Sequence, residues 1–263
     1  MNVHAALSSL VSELDESASR TDSLYTTLAP VYEFMFVSNS GSDQHFTDQL
    51  RLTKKAVASD TRSVLEVGCG TGRLLPILAQ EYETVVGVDL HEEMASLARE
   101  RTTHAAVFQA DMRTVSLSQS FDAVVLFEFM ASLLKRENDV HTLFDNCYEH
   151  LHPNGILLCE VVNEPTVVLP SSTQVFTDDL FRVERTVARE EWLTSEVFMT
   201  KSSYRIYEKQ TDREISMVER TPIRLFTPTR LRTMLTQAGF VSIDISDAAD
   251  GIAGRARRPS SAK

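Results

Sequence analysis

Cysteine is scarce in this chain: Cys69, Cys147 and Cys159 are the only three among 263 residues, and no two form a C-x-x-C pair. An odd, scattered set offers no disulfide framework, so reduced thiols in a cytoplasmic protein are expected. Long apolar runs are missing too. None reaches the ~20 residues that a membrane-spanning helix needs, so no membrane partner is expected. Met1, Asn2, Val3 and His4 show no charged leader ahead of an apolar segment, so no secretory signal is expected. Positive charge is the other shortage. Lys and Arg number 26 against 37 Asp and Glu, for a formal net charge of −11 and an isoelectric point near 5.1. A dedicated nucleic-acid binder needs a positive surface to displace counterions from phosphates, so no nucleic-acid partner is expected. The basic cluster of Arg255, Arg257, Arg258 and Lys263 reads as a solvated tail. His141, His150 and His152 lack metal-ligand spacing with cysteines or acids and read as surface or turn residues. With no acid-rich cage for a hard cation either, no metal is expected.

Hydrophobic content of 43% and charged content of 24% suffice for one core with an added subdomain. The most informative stretch begins with a short β-prone run, residues 64–67. It feeds straight into glycines at alternate positions, Gly68, Gly70 and Gly72, and then into a helical apolar pattern at Leu74, Leu75, Ile77 and Leu78. Glycines so placed let the chain turn sharply and let a ligand approach bare backbone. In an open α/β sheet this turn lies at the carboxyl end of the first strand, where nucleotide-like ligands bind. The spacing is G-x-G-x-G, and Arg73 stands where a dinucleotide fingerprint has its third small residue.

Further apolar runs end in acids. Residues 84–88 lead to Asp89 and Leu90, with the acid roughly 20 residues past the glycines, where a carboxylate can accept ribose hydroxyls. Residues 106–110 lead to Asp111 and Met112, and residues 121–127 to Glu128. Acids closing three successive strands would all face one edge of the sheet.

These residues resemble the motifs of class I S-adenosylmethionine-dependent methyltransferases of the small-molecule type. Residues 65–72 (LEVGCGTG) resemble the family's first motif, 86–94 (VGVDLHEEM) the second, 109–112 (QADM) the third and 121–134 (FDAVVLFEFMASLL) the fourth. Residues 152–155 (HPNG), before a strand at 156–162, resemble the turn preceding the fifth strand. The resemblance covers roughly residues 60–163, with a further family-like stretch from Leu225 to Pro228 and at Ala238, Gly239 and Phe240. It implies a doubly wound, mostly parallel, Rossmann-like α/β sheet and S-adenosylmethionine as cofactor. Gly68, Gly70 and Gly72 would lie against the methionyl and ribose portions, and Asp89 would hold the ribose hydroxyls. Leu90 and Met94 would pack on the adenine, with Asp111 accepting from its amino group beside Met112. Glu66 would orient the ammonium end, and Phe127 completes the cofactor set. For Met94 the alternative is core packing of a helix face; Cys69 reads as a small buried filler.

The sulfonium is already an activated methyl donor, so the protein must align the acceptor, exclude water and manage one proton. Glu128, flanked by Phe127, Phe129 and Met130, is the leading catalytic candidate. A desolvated carboxylate needs a partner, and an amine, an indole-type N–H or a phenol would serve. Its pKa would rise there, fitting it for a base. The alternative is a salt bridge to Arg182 or Arg205. Tyr25 is the second catalytic candidate; Tyr32, Phe129 and Met130 are candidates for substrate contact. Tyr25 and Tyr32 lie seven residues apart in an expected helix at 24–36, on one face, with core packing as the alternative. No histidine is expected beside Glu128.

Four zones are expected: a helical cover at 1–59, its first 21 residues a loosely held helix or tail; the cofactor core at 60–163; an antiparallel β lid at 164–226; and a C-terminal helix and strand at 227–263. The lid follows from a change of pattern after Pro165 to period-two alternation, seen at 181–185, 196–199 and 203–207. Inserted after the fifth core strand, and rich in aromatics such as Phe181, Trp192 and Tyr204, it would cover the catalytic edge and suit a flat or cationic acceptor. A second helix is expected at 44–58, a third at 229–237 and a sixth core strand at 240–245. No seventh strand is legible in 248–263. The expected activity is methylation of a small metabolite at an amine, an N–H or an electron-rich aromatic carbon conjugated to nitrogen. The alternatives are O-methylation of a small phenol or acid, and a non-catalytic partner subunit. The intact glycines, Asp89 and Asp111 favour a working site. A homodimer is compatible with this reading.

Overall fold

The computed structural model describes residues 2–13, 20–21, 23–38, 42–163, 171–248 and 251–260. The chain opens with α1 (Val3–Glu13), where Leu7, Leu10 and Val11 fall on one face and are buried. That stripe makes a packed helix of what reads as a loose tail in sequence. A short strand β1 (Arg20–Thr21) follows, then a turn, then α2 (Ala29–Val37). Pro30 sits in the first turn of α2. Proline suits the first turn, where its missing N–H has no helical partner to lose, so α2 starts at Ala29 and the expected helix at 24–36 lacks its first turn, Tyr25 included. Next comes α3 (Ser42–Ala56).

The larger sheet then builds in strand–helix alternation: β2 (Ser63–Val67), α4 (Leu75–Leu78), β3 (Thr84–Asp89), α5 (Glu92–Arg101), β4 (Ala106–Gln109), β5 (Phe121–Leu126), α6 (Glu137–Glu149) and β6 (Leu151–Val161). β2, β3 and β5 are buried almost throughout, as parallel strands covered on both faces must be. The expected turn at 152–155 is an irregularity inside β6: Phe121 pairs with Leu151, but Ala123 already pairs with Ile156. A smaller sheet comes next, from β7 (Ser171–Thr177), β8 (Phe181–Trp192), β9 (Val197–Glu208) and β10 (Arg213–Arg224). The two alternating runs at 196–199 and 203–207 merge into the single strand β9. Pro165, where the pattern was seen to change, lies outside the described residues.

The chain closes with α7 (Pro228–Gln237), β11 (Val241–Ala248) and β12 (Gly251–Arg257). Thr227 caps α7 by accepting from the Arg230 N–H, and Gly239 ends it at φ +98°. β12 is the seventh strand that the sequence conceals. It pairs antiparallel with both β6 and β11, and Ile252 and Ala256 are buried. The solvated-tail reading of the basic cluster fails with it. Arg255 donates to the Ala56 carbonyl at 2.9 Å. Arg258 stacks over Tyr148 and donates to the carbonyls of Tyr148, Glu149 and Leu151 at the end of α6. Lys263 lies outside the described residues. His150, read as a surface residue, is buried: its Nε2 accepts from the Leu117 N–H and its Nδ1 lies 2.8 Å from the Asn146 carbonyl.

The seven-stranded sheet has the order β11-β12-β6-β5-β2-β3-β4, with β2 through β6 parallel. The chain leaves β2 toward β3 and β4 on one side and returns through β5 and β6 on the other. The carboxyl ends of β2 and β5 therefore flank a topological switch point, the place where ligands bind in open α/β sheets. Val124, Leu126, Leu157, Phe144, Leu231 and Phe240 belong to the core that buries this sheet against its helices.

Two compact units result: Met1–Gln44 with Leu169–Thr221, and His45–Val168 with Pro222–Lys263. In the first, β7 to β10 form an antiparallel sheet, with β1 added parallel to β10 at its edge. Leu7, Val11, Leu28, Val31 and Phe34 from the helical segments pack with Phe181, Val183, Tyr204, Ile206 and Met217 from the strands. The expected antiparallel insertion after the fifth core strand is present. No described helix is long and apolar enough to cross a membrane.

Candidate active site

Strands β2, β3 and β5 of the larger sheet each deliver an acid at the carboxyl edge. β2 ends in Glu66 and Val67 and enters the glycine turn, in which Gly68, Gly70 and Gly72 all take positive φ, +76°, +52° and +72°. Glycine alone adopts these angles without strain. The turn is pinned to its neighbour, since the N–H groups of Gly68 and Cys69 both donate to the Val88 carbonyl of β3. At the end of β3 the buried Asp89 carboxylate accepts from the Gly70 N–H at 2.9 Å and from the His91 N–H at 3.0 Å. Burial raises its pKa, and those two N–H bonds oppose the rise.

Glu66 is 7% exposed, and its Oε2 has no hydrogen-bond partner. Burial holds its pKa well above the usual carboxylate range, and the nearby charges of Glu128 and Asp89 push the same way. A carboxyl oxygen in that position is unsatisfied until a cationic or N–H donor reaches it.

Glu128 follows β5, and both it and Phe129 occupy the left-handed region, at φ 55° and 60°. Consecutive non-glycine residues there cost energy and are found where structure around a site holds them. The Glu128 side chain is 39% exposed, so it is not the desolvated carboxylate expected from its apolar neighbours. Arg182 and Arg205, the partners weighed for it, pair with Glu184 and Glu214. Oε1 of Glu128 instead accepts from Nε2 of His45 and, at 2.7 Å, from Nε2 of Gln49. The expectation that no histidine stands beside Glu128 is thus overturned. His45 and Gln49 lie four residues apart on α3, on one helical face, and that spacing is the only sequence signal they leave.

The remaining candidates are distributed as follows. Asp111 is gripped by Arg113, with Nε 3.0 Å from Oδ1 and Nη2 2.6 Å from Oδ2, and this hydrogen bonding keeps its pKa below the ordinary value. Met112 is partly buried beside the core. Met94 has no exposed surface and serves the packing of α5, whereas Leu90 is half exposed. Phe127 is buried. Met130 lies over Gly68, so close that a Cβ there would stand 2.5 Å from its Cε. Tyr25 and Tyr32 belong to the other unit, with ring centroids 6.1 Å apart. Among the described residues no group of His, Cys, Asp and Glu has the geometry of a metal site.

A family profile described as a methyltransferase domain matches residues 64–155. A dTDP-3-amino-3,4,6-trideoxy-alpha-D-glucopyranose N,N-dimethyltransferase of Streptomyces venezuelae is 29% identical over 161 residues, 61% of this chain and 67% of that protein. Alignments with further curated relatives span 52% of their length or less. Among solved structures, DesVI of Streptomyces venezuelae superposes with a TM-score of 0.77 at 22% identity, covering 87% of this chain and 97% of that one. CalS10, an amino pentose methyltransferase of Micromonospora echinaspora with S-adenosylmethionine bound, gives a TM-score of 0.75 at 21% identity, covering 87% and 96%. At such identities the structural likenesses bear on the fold. Residues 64–155 thus match a methyltransferase domain, and the superposed structures show the fold of the S-adenosylmethionine-dependent methyltransferases. The chain is an enzyme of that class, and S-adenosylmethionine is its cofactor. The residues present fit that group, because the glycine turn offers backbone without side chains and Glu66 Oε2 waits for a donor.

Proposed function

We propose that the chain methylates an amine nitrogen of a small metabolite, an amino sugar carried on a nucleotide being the acceptor class that the names of its relatives indicate. The observation that carries this reading is the acidic lining of the carboxyl edge. Glu66 and Asp89 stand beside the glycine turn, and Glu128 is near enough to raise the Glu66 pKa. Such an edge favours cations, and both an ammonium acceptor and a sulfonium donor are cations.

The cofactor supplies a methyl group on positively charged sulfur. Asp89, fixed by two backbone N–H groups, would accept the ribose hydroxyls, and Glu66 would accept from the ammonium end. Glu128 holds the acceptor nitrogen. Its Oε1 is occupied by His45 and Gln49, while among the described residues no donor reaches Oε2. An amine arrives protonated at neutral pH and must lose that proton before its lone pair can attack. With the cofactor in place, its methyl group would pass to that lone pair, the C–N bond forming as the C–S bond breaks.

The test is a panel of amino sugars, nucleotide-linked amino sugars, phenols and carboxylic acids, read by mass spectrometry for added methyl groups. Amine turnover that collapses in Glu128→Gln, with cofactor binding intact, supports the reading. Turnover of phenols or acids with none of the amines overturns it.

A further inference from the structure

We propose that His45 and Glu128 form an imidazole–carboxylate pair that takes the proton from the acceptor ammonium, with Gln49 as the residue that positions it. The inference rests on the amine reading above and adds to it the route by which the proton leaves.

The geometry is specific. Nε2 of His45 and Nε2 of Gln49 converge on one oxygen of Glu128, and the two nitrogens are 3.1 Å apart. Gln49 is 3% exposed, so its amide is locked by packing and fixes where the shared oxygen stands. His45 is about half exposed, so a proton received on the imidazole can pass on to water. The backbone of Glu128 and Phe129 is held left-handed, and the Glu128 carboxylate meets two residues of α3.

The charges around the imidazole agree. Glu128 after β5, Glu160 of β6 and Asp48 of α3 itself act on it, and all are acidic. The hydrogen bond from Glu128 is the largest influence; it outweighs burial, and His45 holds its proton more tightly than an ordinary histidine. Imidazole is a stronger base than a carboxylate by about two pKa units, so the pair takes a proton from an ammonium more readily than a lone glutamate would. The balance closes without a further reactant. The ammonium proton passes by way of the Glu128 carboxylate to Nε2 of a neutral His45 ring whose own proton is on Nδ1, and the imidazolium so formed, with Nε2 donating to Oε1, gives up a proton to solvent. The freed lone pair forms the C–N bond as the C–S bond breaks. A second methylation of the same nitrogen repeats the cycle.

The test combines kinetics with an acceptor-free measurement. In the wild type, kcat with a saturating amine should rise with pH through a step above the ordinary histidine value, because His45 must be neutral to accept. In His45→Gln that step should vanish and kcat should drop by about 10²-fold or more, with KM for the cofactor unchanged. Added imidazole should restore part of the rate in His45→Ala. Proton NMR titration of His45, which needs no acceptor, should place its pKa above ordinary and bring it down in Glu128→Gln. An unaltered kcat profile in His45→Gln, or an effect on the acceptor KM alone, overturns the pair and leaves the amine reading standing. Turnover of oxygen acceptors alone overturns both. If both His45 variants fold poorly, the titration decides: a pKa indifferent to Glu128→Gln overturns the proposal.

Discussion

The Gly70 N–H donates to the Asp89 carboxylate at 2.9 Å, so the glycine turn after β2 and the acid at the end of β3 are one structure. The carboxylate orders the loop from one side. Asp89→Ala should weaken S-adenosylmethionine binding by about 2–3 kcal/mol, the value of hydrogen bonds to a charged acceptor. Calorimetric titration reads this directly, and a variant that binds like the parent would refute the cofactor role. Asp89→Asn should fail in another way. One of its two faces becomes an NH2 and must meet the N–H of Gly70 or of His91, so a melting point lowered by a few degrees is expected even without ligand.

Glu66 gives a prediction with a pH sign. Its folded-state pKa lies above the unfolded value, so folding favours the protonated form. Stability of the cofactor-free protein should therefore fall as pH rises from the ordinary carboxylate range toward the raised pKa, because the unfolded chain releases that proton first. Glu66→Gln removes this dependence. Its melting temperature at neutral pH should exceed that of the parent by about 2–4 °C for each kcal/mol of relieved desolvation. Its affinity for the cofactor should fall. A variant both less stable and unchanged in its pH dependence would show that Glu66 is ionised and satisfied in the free protein.

The turn glycines separate two kinds of crowding. At Gly68 a Cβ would meet the flexible end of Met130, at 2.5 Å from Cε, whereas at Gly72 it would meet Ala98, Cβ at 2.7 Å and the backbone Cα at 2.8 Å. Both positions have positive φ, so each alanine carries backbone strain of about 1–3 kcal/mol. A methionine can swing aside and a helix backbone cannot. Gly72→Ala should be the more destabilised in urea melts, and Met130→Ala should recover part of the Gly68→Ala loss but none of the Gly72→Ala loss. No rescue of Gly68→Ala would mean that its loss is backbone strain alone.

What was legible in sequence was local. Gly68, Gly70 and Gly72 follow a strand and precede a helix, and the acids close successive apolar runs, so short windows reveal the parallel core and its carboxyl edge. What escaped depends on partners far along the chain. His45 is 83 residues from Glu128, and nothing near it in sequence marks it as more than one polar residue on a helix. β12, with Gly251 and Gly254 and two arginines, has weak intrinsic preference for a strand. It forms because β6 and β11 flank it, an instance of context deciding strand formation. Tyr25 was placed in a helix by apolar spacing, and Pro30 in the first turn of α2 overruled that spacing.

The three cysteines supply the last prediction. Cys69, Cys147 and Cys159 are free and buried. Burial pushes the Cys159 thiol up to about 12, and it raises those of Cys147 and Cys69 as well. A thiol reacts as its thiolate, and at pH 8 a group titrating near 12 is thiolate in only about one molecule in ten thousand. A disulfide-exchange reagent should therefore find almost no fast-reacting thiol in the native protein and three after denaturation. Cys69 should react first on long incubation, because it lies in the glycine turn, whereas Cys147 and Cys159 sit in α6 and β6 within the main core. Saturating S-adenosylmethionine should slow modification of Cys69 more than that of the other two, since a ligand on the turn closes the local opening that exposes it. Rapid native modification of Cys147 or Cys159 would contradict the packing of α6 on the sheet. Cofactor protection absent at Cys69 would remove the glycine turn from the binding site.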